Sequence, residues 1–281
     1  MINELAVQSA IMSIQKAMSS KTEADGGKHI REAIHSLDKS LSLEASVQVM
    51  SAANYIMKNP DSLFIKSGCN WIDYALGGGA REEELILIGG EFHSGKTHIM
   101  SYVGSQFMIE GKSVLYFVGE DLVNDIIGIF KNSLLAASGD DNLEGLFYVD
   151  VMETGMLNLA VIDSAVSQQK TDIVIIDHMD IMDTENKGQD WLEVCNISRE
   201  LKFLAKKHNS IFIVGSQAID GRLFRGNSSK SQSPDVIWYI EEIMEGLIQL
   251  EVKKGRGRRI KRRKVSLECN FDTMQIKGDI L

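Results

Sequence analysis

Gly90-Glu91-Phe92-His93-Ser94-Gly95-Lys96-Thr97 is the stretch on which the fold turns. It satisfies the pattern G-x-x-x-x-G-K-[ST] in full. Its surroundings matter as much as the pattern. The apolar run Leu85–Ile88 precedes it at strand length, and an apolar, helix-length segment from Thr97 to Ile109 follows. Glycines let the backbone curl so that its N–H groups face a phosphate at a helix N-terminus. Gly90, Glu91, Phe92, His93, Ser94, Gly95, Lys96, Thr97 and the bordering His98 are therefore expected to hold the phosphates of ATP or another nucleoside triphosphate. Lys96 would reach the β- and γ-phosphates, and the Thr97 hydroxyl would ligate Mg²⁺.

A phosphate loop of this kind needs a carboxylate at the end of a second buried strand to hold the Mg²⁺ shell. Asp172-Ile173-Val174-Ile175-Ile176-Asp177 provides four apolar residues ending at Asp177. Many such enzymes place a glutamate next, to orient the attacking water, but here the next residue is His178. The base must come from elsewhere. Glu120, at the end of the apolar run Ser113–Val118, is the expected base, with the adjacent Asp121 as its competitor. Gln217 ends the strand Ile211–Val214 and its Gly215-Ser216 extension, where an amide can sense a γ-phosphate. This arrangement marks the RecA-like branch of phosphate-loop proteins.

Outward from these motifs, further strands are expected at Leu146–Val149 and Val236–Tyr239, and a helix from Trp191 to Lys207. Short apolar runs alternating with helical stretches predict an α/β fold, a mostly parallel central sheet covered on both faces. Beyond Tyr239 the helical stretches stop, and Gly246–Lys253, Lys264–Cys269 and Met274–Lys277 read as antiparallel edge strands. Residues 1–62 read as a small N-terminal helical region: apolar residues at near-helical spacing from Ile2 to Met18, a polar break at 20–27, then helices over about 29–43 and 43–57. The motor proper is expected over 63–281.

Composition sets bounds. The chain has 281 residues, 44% hydrophobic and 25% charged, with a net charge of −9. Cys69, Cys195 and Cys269 are widely separated, with no CxxC pair or His partner at zinc spacing, which argues for a reducing compartment. The longest apolar runs are strand-length, too short to span a bilayer, and no secretion signal is evident, so a cytoplasmic protein without membrane contact is expected. Charge is segregated. Residues 253–264 read KKGRGRRIKRRK, and their nine basic residues leave the remainder twice as acidic as the whole. Trp71, Trp191 and Trp238 are expected to pack in the core rather than stack on bases.

Together, the phosphate loop, Glu120, the IVIIDHMDIM block around Asp177, SRELKFLAKKHNSIFIVGSQ (198–217) and the GRGR segment resemble the C-terminal motor of DnaB-family replicative helicases, over roughly residues 63–278. Trp71-Ile72-Asp73-Tyr74-Ala75-Leu76-Gly77-Gly78-Gly79, followed by the phosphate loop, also resembles RadA-type recombinases and KaiC-like ATPases. The helicase resemblance implies that Lys254 and Arg256 act in trans, reaching a neighbouring subunit's ATP. It implies that loops at about 178–190 and 219–234 line a channel, with Arg222, Arg225 and Lys230 on single-stranded DNA. It further implies a homo-oligomer, expected to be a hexameric ring, with a possible primase or loader as partner. The chain departs from that family in its short N-terminal region and in the density of its basic run. That run is compatible with a DNA contact, a partner contact or a solvated hairpin tip. The compact layout would suit a phage-encoded protein.

The expected function is therefore an ATP-dependent DNA helicase that translocates on single strands. A RecA/RadA-like recombinase forming filaments on DNA is the alternative, and a KaiC-like regulatory ATPase the third reading.

Overall fold

The computed structural model describes residues 64–119, 121–151, 157–177, 179–182, 190–217 and 233–281, with scattered positions before them. Side chains at 181 and 190–196 are outside this description. The chain divides into two compact units, Met1–Asp61 and Ser62–Leu281. In the first, the described positions Ile11, Met12, Ile14, Gln15, Met18, His29, Ile30 and Ala33 are helical. The helix expected near 43–57 lies outside the described residues.

The second unit carries one nine-stranded sheet. In chain order the elements are α1 (Asn70–Leu76), β1 (Leu85–Gly90), α2 (Lys96–Ile109), β2 (Val114–Val118), α3 (Val123–Ser138), β3 (Leu146–Asp150), α4 (Leu159–Gln169) and β4 (Ile173–Asp177). A 3₁₀ turn at Met179–Ile181, α5 (Asp190–His208), β5 (Ile211–Gln217), β6 (Val236–Met244), β7 (Leu247–Gly255), β8 (Lys264–Asn270) and β9 (Gln275–Ile280) follow. The strand order is β3-β2-β4-β5-β1-β6-β7-β8-β9. The pairs from β3 through β6 are parallel, and those from β6 to β9 antiparallel.

The residue pattern explains this division. β1, β2 and β4 are buried at every position, because helices cover both faces of the parallel part. Side chains alternate across the sheet. Ile86, Ile88, Ile173, Ile175, Ile211 and Ile213 face α1, α2 and α3, where Trp71, Ile99, Phe107 and Phe130 meet them. Leu85, Leu87, Val174, Ile176, Phe212 and Val214 face α4 and α5, meeting Ile162, Val166, Leu201 and Leu204. Each such side chain contributes about 1.5–3 kcal/mol on burial, before the entropy of ordering it. β7 instead buries every second residue (Ile248, Leu250, Val252), as a strand with one wet face should.

β6 is longer than its apolar run. The expected strand ended at Tyr239, whose residue level pairs with Gly89 of β1. The observed strand continues to Met244 because β7 goes on pairing with it after β1 has turned away into the phosphate loop. This extension carries Glu241 and Glu242 past the end of the parallel sheet, a placement no hydropathy pattern contains. Trp71 and Trp238 are core residues, as expected: Trp71 stacks on Tyr102 at 6.0 Å between ring centres and lies 6.3 Å from Trp238. The Trp191 side chain lies outside the described residues. Among the described residues no helix is long and apolar enough to cross a membrane.

Candidate nucleotide site

In a parallel sheet all strands end on one edge, and ligands gather outside those ends. Here that edge presents Gly90 of β1, Val118 of β2, Asp177 of β4 and Gln217 of β5. The register places Gly90 opposite Gln217, and Val118 opposite Asp177. Because β5 lies between β1 and β4, Gln217 stands between the phosphate loop and Asp177.

The phosphate loop has the shape its glycines demand. Gly95 adopts φ 79° as the N-cap of α2, a left-handed conformation that a β-carbon would penalise. Having no side chain, it supplies no acceptor to the first N–H groups of the helix, which is what a bound anion would do instead. Gly90 is needed for a second reason. A β-carbon there would sit 2.5 Å from Ser94 Oγ and 2.9 Å from the carbonyl oxygen of Ile240. His93 also has a positive φ of 57°, within the left-handed region.

Lys96 is buried, with 8% of its surface exposed. Its ammonium donates to the carbonyl oxygens of Gly90 at 3.0 Å and Glu91 at 2.6 Å, and lies 3.5 Å from Ser94 Oγ. Burial holds its pKa below the usual lysine range, while the charges of Asp177 and Asp180 oppose that shift. A buried cation folded over its own loop, facing two carboxylates, is a cradle suited to a polyanion. Asp177, 6% exposed, accepts a hydrogen bond from Tyr116 Oη at 3.0 Å through Oδ2. Burial pushes the Tyr116 phenol well above its ordinary pKa, with the Asp177 charge adding to it, so the group stays a donor. Asp172, at the other end of β4, accepts instead from Ser113 N and Oγ at 2.9 and 2.8 Å, and is structural.

A cavity of about 760 Å³ opens over this edge. Phe92 through His98 of the loop, Asp177 and Gln217 line it, together with Asp121, the Asn124–Asn132 side of α3, Glu242 and Phe271. The structure thus gathers most of the residues expected from the sequence around one space. Thr97 and Asp177 offer hard oxygen donors on its wall, the chemistry Mg²⁺ prefers. The donor set and the glycine-built cradle fit a Mg²⁺–nucleotide. Burial lowers the pKa of His98, whose ring lies 4.6 Å from that of Phe271, so it borders the cavity as an uncharged ring.

Other expected residues fall elsewhere. Glu120, Arg222, Arg225 and Lys230 lie outside the described residues, as do most of the two loops assigned to DNA. The competitor Asp121 is on the cavity wall. Lys254 and Arg256 are not near the phosphate loop of their own chain. Lys254 pairs with Ile237, and Gly255 with Val236, which is level with Ile86 at the start of β1. Four residues of strand, roughly 13 Å, separate that level from Gly90. Arg256 donates its N–H to the Asp235 carbonyl at 2.7 Å, and its guanidinium lies 3.5 Å from the Asp235 carboxylate. That carboxylate also holds Lys202 Nζ at 2.7 Å and Leu85 N at 3.0 Å.

The basic run is not uniform. Arg258 turns inward: it is 3% exposed, forms an ion pair with buried Glu84, donates to the carbonyl oxygens of Leu76 and Gly79, and lies over the Phe64 ring. Burial pushes the Glu84 carboxyl up, and the Arg258 guanidinium opposes this. Arg263 donates to the Tyr74 carbonyl at 2.5 Å and stacks over its ring at 4.5 Å. Ile260 between them is buried. Half of a stretch that reads as a charged patch is therefore a clamp on α1 and the glycine turn after it, while Arg256, Arg259, Lys261 and Arg262 stay exposed. Ile260 was the one signal in the run that its tip is anchored.

Sequence reasoning also missed Tyr116 and Asp180. Tyr116 stands out in an aliphatic strand only as a polar atom that burial must satisfy. Asp180 accepts a hydrogen bond from Gln217 N at 2.8 Å and so ties the end of β5 to the turn after β4.

Comparison with solved structures finds a DnaB-family ATPase domain, with a TM-score of 0.62 at 17% identity, covering 80% of this chain and 95% of that one. It also finds the "flagellar accessory protein FlaH" of Methanocaldococcus jannaschii, with a TM-score of 0.57 at 16% identity, covering 76% and 97%. Among curated proteins, "DNA repair protein RadA" of Listeria monocytogenes is 28% identical over 174 residues, and that of Streptococcus pneumoniae 32% over 170. These matches take in 60% and 59% of this chain but only 35% and 37% of the relatives, so the chain corresponds to about a third of their length. No family model matches. The sheet order, the phosphate loop at its centre and these likenesses agree: the chain has a DnaB/RecA-like ATPase fold.

Proposed function

We propose that the protein is an oligomeric ATPase that uses nucleotide hydrolysis to translocate on single-stranded DNA, a motor of the DnaB-like helicase type. The observation that carries this reading is the position of Lys254 and Arg256. They sit at the opposite edge of the parallel sheet from their own phosphate loop, so a phosphate within their reach belongs to another copy of the chain. A cation supplied in trans couples hydrolysis to the subunit interface, which is what a motor needs.

Within the site, Lys96 holds and neutralises the phosphates, and Thr97 and Asp177 hold Mg²⁺, which when bound polarises the transferred phosphoryl group. Glu120 polarises the attacking water, with Asp121 the alternative on the cavity wall. Gln217 reports the γ-phosphate to the loop that follows it, which bears Arg222, Arg225 and Lys230 for the DNA backbone. The Asp180–Gln217 hydrogen bond supports that last assignment, because it joins the base of this loop to the turn after Asp177.

A second reading, a recombination or repair ATPase that coats DNA as a filament, is favoured by the matches to proteins named for DNA repair. Electron microscopy with a slowly hydrolysed ATP analogue, Mg²⁺ and single-stranded DNA separates the two. Closed rings threaded by DNA are expected, six subunits each. Helical filaments would replace the first reading with the second. ATPase activity indifferent to DNA would count against both and favour a protein-directed regulator.

A further inference from the structure

The hydroxyl of Tyr116 is a polar atom set inside the sheet's apolar layer. Tyr116 lies in β2 opposite Ile175, two residues before Val118, the register partner of Asp177. Its side chain belongs to the face covered by α2 and α3, and no part of it reaches solvent. The ring meets Phe130 edge-on, with centres 5.8 Å apart, so its direction is set by packing. From that fixed ring the hydroxyl donates to Asp177 Oδ2 at 3.0 Å. Asp177 also forms part of the cavity wall.

Packing alone does not call for this hydroxyl. Phenylalanine fills the same space without a polar atom to satisfy. What the hydroxyl adds is a restraint on a torsion that is otherwise soft. The terminal torsion of an aspartate is broad and two-fold, so its carboxylate plane is poorly defined by rotamer preference. A donor held by a rigid ring selects one plane. Partners that hydrogen-bond a metal-binding carboxylate act in this way, and their loss weakens metal affinity or activity about 10- to 100-fold.

We propose that Tyr116 is a positioning residue that fixes the plane of the Asp177 carboxylate and thereby sets how tightly the site takes Mg²⁺ with its nucleotide. This rests on the reading of the cavity as a Mg²⁺–nucleotide site. The test is equilibrium binding by the full chain of a fluorescent, slowly hydrolysed ATP analogue, titrated across Mg²⁺ concentrations and in excess EDTA.

Tyr116→Phe should raise the Mg²⁺ concentration for half-maximal binding about tenfold and leave binding in EDTA unchanged. Tyr116→Leu, a second variant without the hydroxyl, should show the same shift if it folds, which thermal unfolding reports. Tyr102→Phe removes another buried tyrosine hydroxyl, one 3.4 Å from the Ile276 carbonyl, and should leave the Mg²⁺ dependence alone. A wild-type Mg²⁺ dependence in Tyr116→Phe overturns the proposal. An equal shift in Tyr102→Phe overturns it too, because the effect would then be general loosening of the core. If wild-type binding itself ignores Mg²⁺, the reading of the cavity fails instead.

Discussion

The two edges of the parallel sheet are both rich in charge, yet they are assembled in opposite ways. At the edge where the strands end, each charged group arrives with a local pattern: Lys96 six residues after Gly90, and Asp177 after four apolar residues. At the edge where they begin, the groups come from distant parts of the chain. Glu84 meets Arg258 across 174 residues, and Asp235 meets Leu85 N across 150. The first edge bounds a cavity; the second, at Glu84 and Arg258, is closed and dry. Charge in a sequence is therefore evidence of a site only when the fold leaves space beside it.

That contrast can be broken most forcefully at Arg256, the exposed member of the second edge to which the proposed motor assigns a chemical role. Arg256→Ala should lower turnover about a thousandfold, the scale of a cation supplied in trans. Activity should return in mixtures with subunits altered only at Lys96. No rescue at any mixing ratio would place Arg256 with the structural residues of its own edge.

At the first edge, Lys96→Ala should reduce hydrolysis at least a few hundredfold and weaken nucleotide binding. Glu120→Gln should slow turnover by about two to three orders of magnitude while leaving binding intact. Normal turnover in Glu120→Gln would transfer the base to Asp121, which single-turnover assays of Asp121→Asn would check.

Arg258 should behave as its surroundings dictate rather than as its neighbours in the sequence do. Arg258→Met leaves Glu84 buried without its partner, and should cost about 3–5 kcal/mol in denaturant unfolding. Glu84→Gln in the same chain should recover part of that loss, since removing both charges avoids the desolvation penalty. Arg259→Ala, on the exposed side of the same turn, should change stability by no more than about 0.5 kcal/mol. Equal effects at 258 and 259 would erase the distinction between clamp and surface.

How much could be read beforehand follows the same division. The nine strands were each expected close to where they lie, because alternation and apolar runs are short-range properties. The limits failed where pairing set them: β6 runs on to Met244 because β7 holds it, and Glu242 reaches the cavity only for that reason. Arg258 and Arg263 looked like part of one basic patch, because a side chain's direction at a hairpin tip depends on what lies beneath it. Here that is Tyr74, Leu76 and Gly79, nearly the whole motor domain away in sequence. Tyr116 was passed over because a tyrosine in a strand is ordinary until the atom its hydroxyl touches is known.

The sequence by itself determined the phosphate loop, the strand ending in Asp177 and the change from parallel to antiparallel structure after Tyr239. Each depends on residues within a few positions of one another, where steric and hydrophobic periodicity act directly. Only the tertiary structure decided that Gln217 stands between loop and carboxylate, that Lys254 and Arg256 lie at the far edge from their own phosphate loop, and that Arg258 is buried while Arg259 is not. Those facts depend on strand order and long-range packing, and neither leaves a period in the chain.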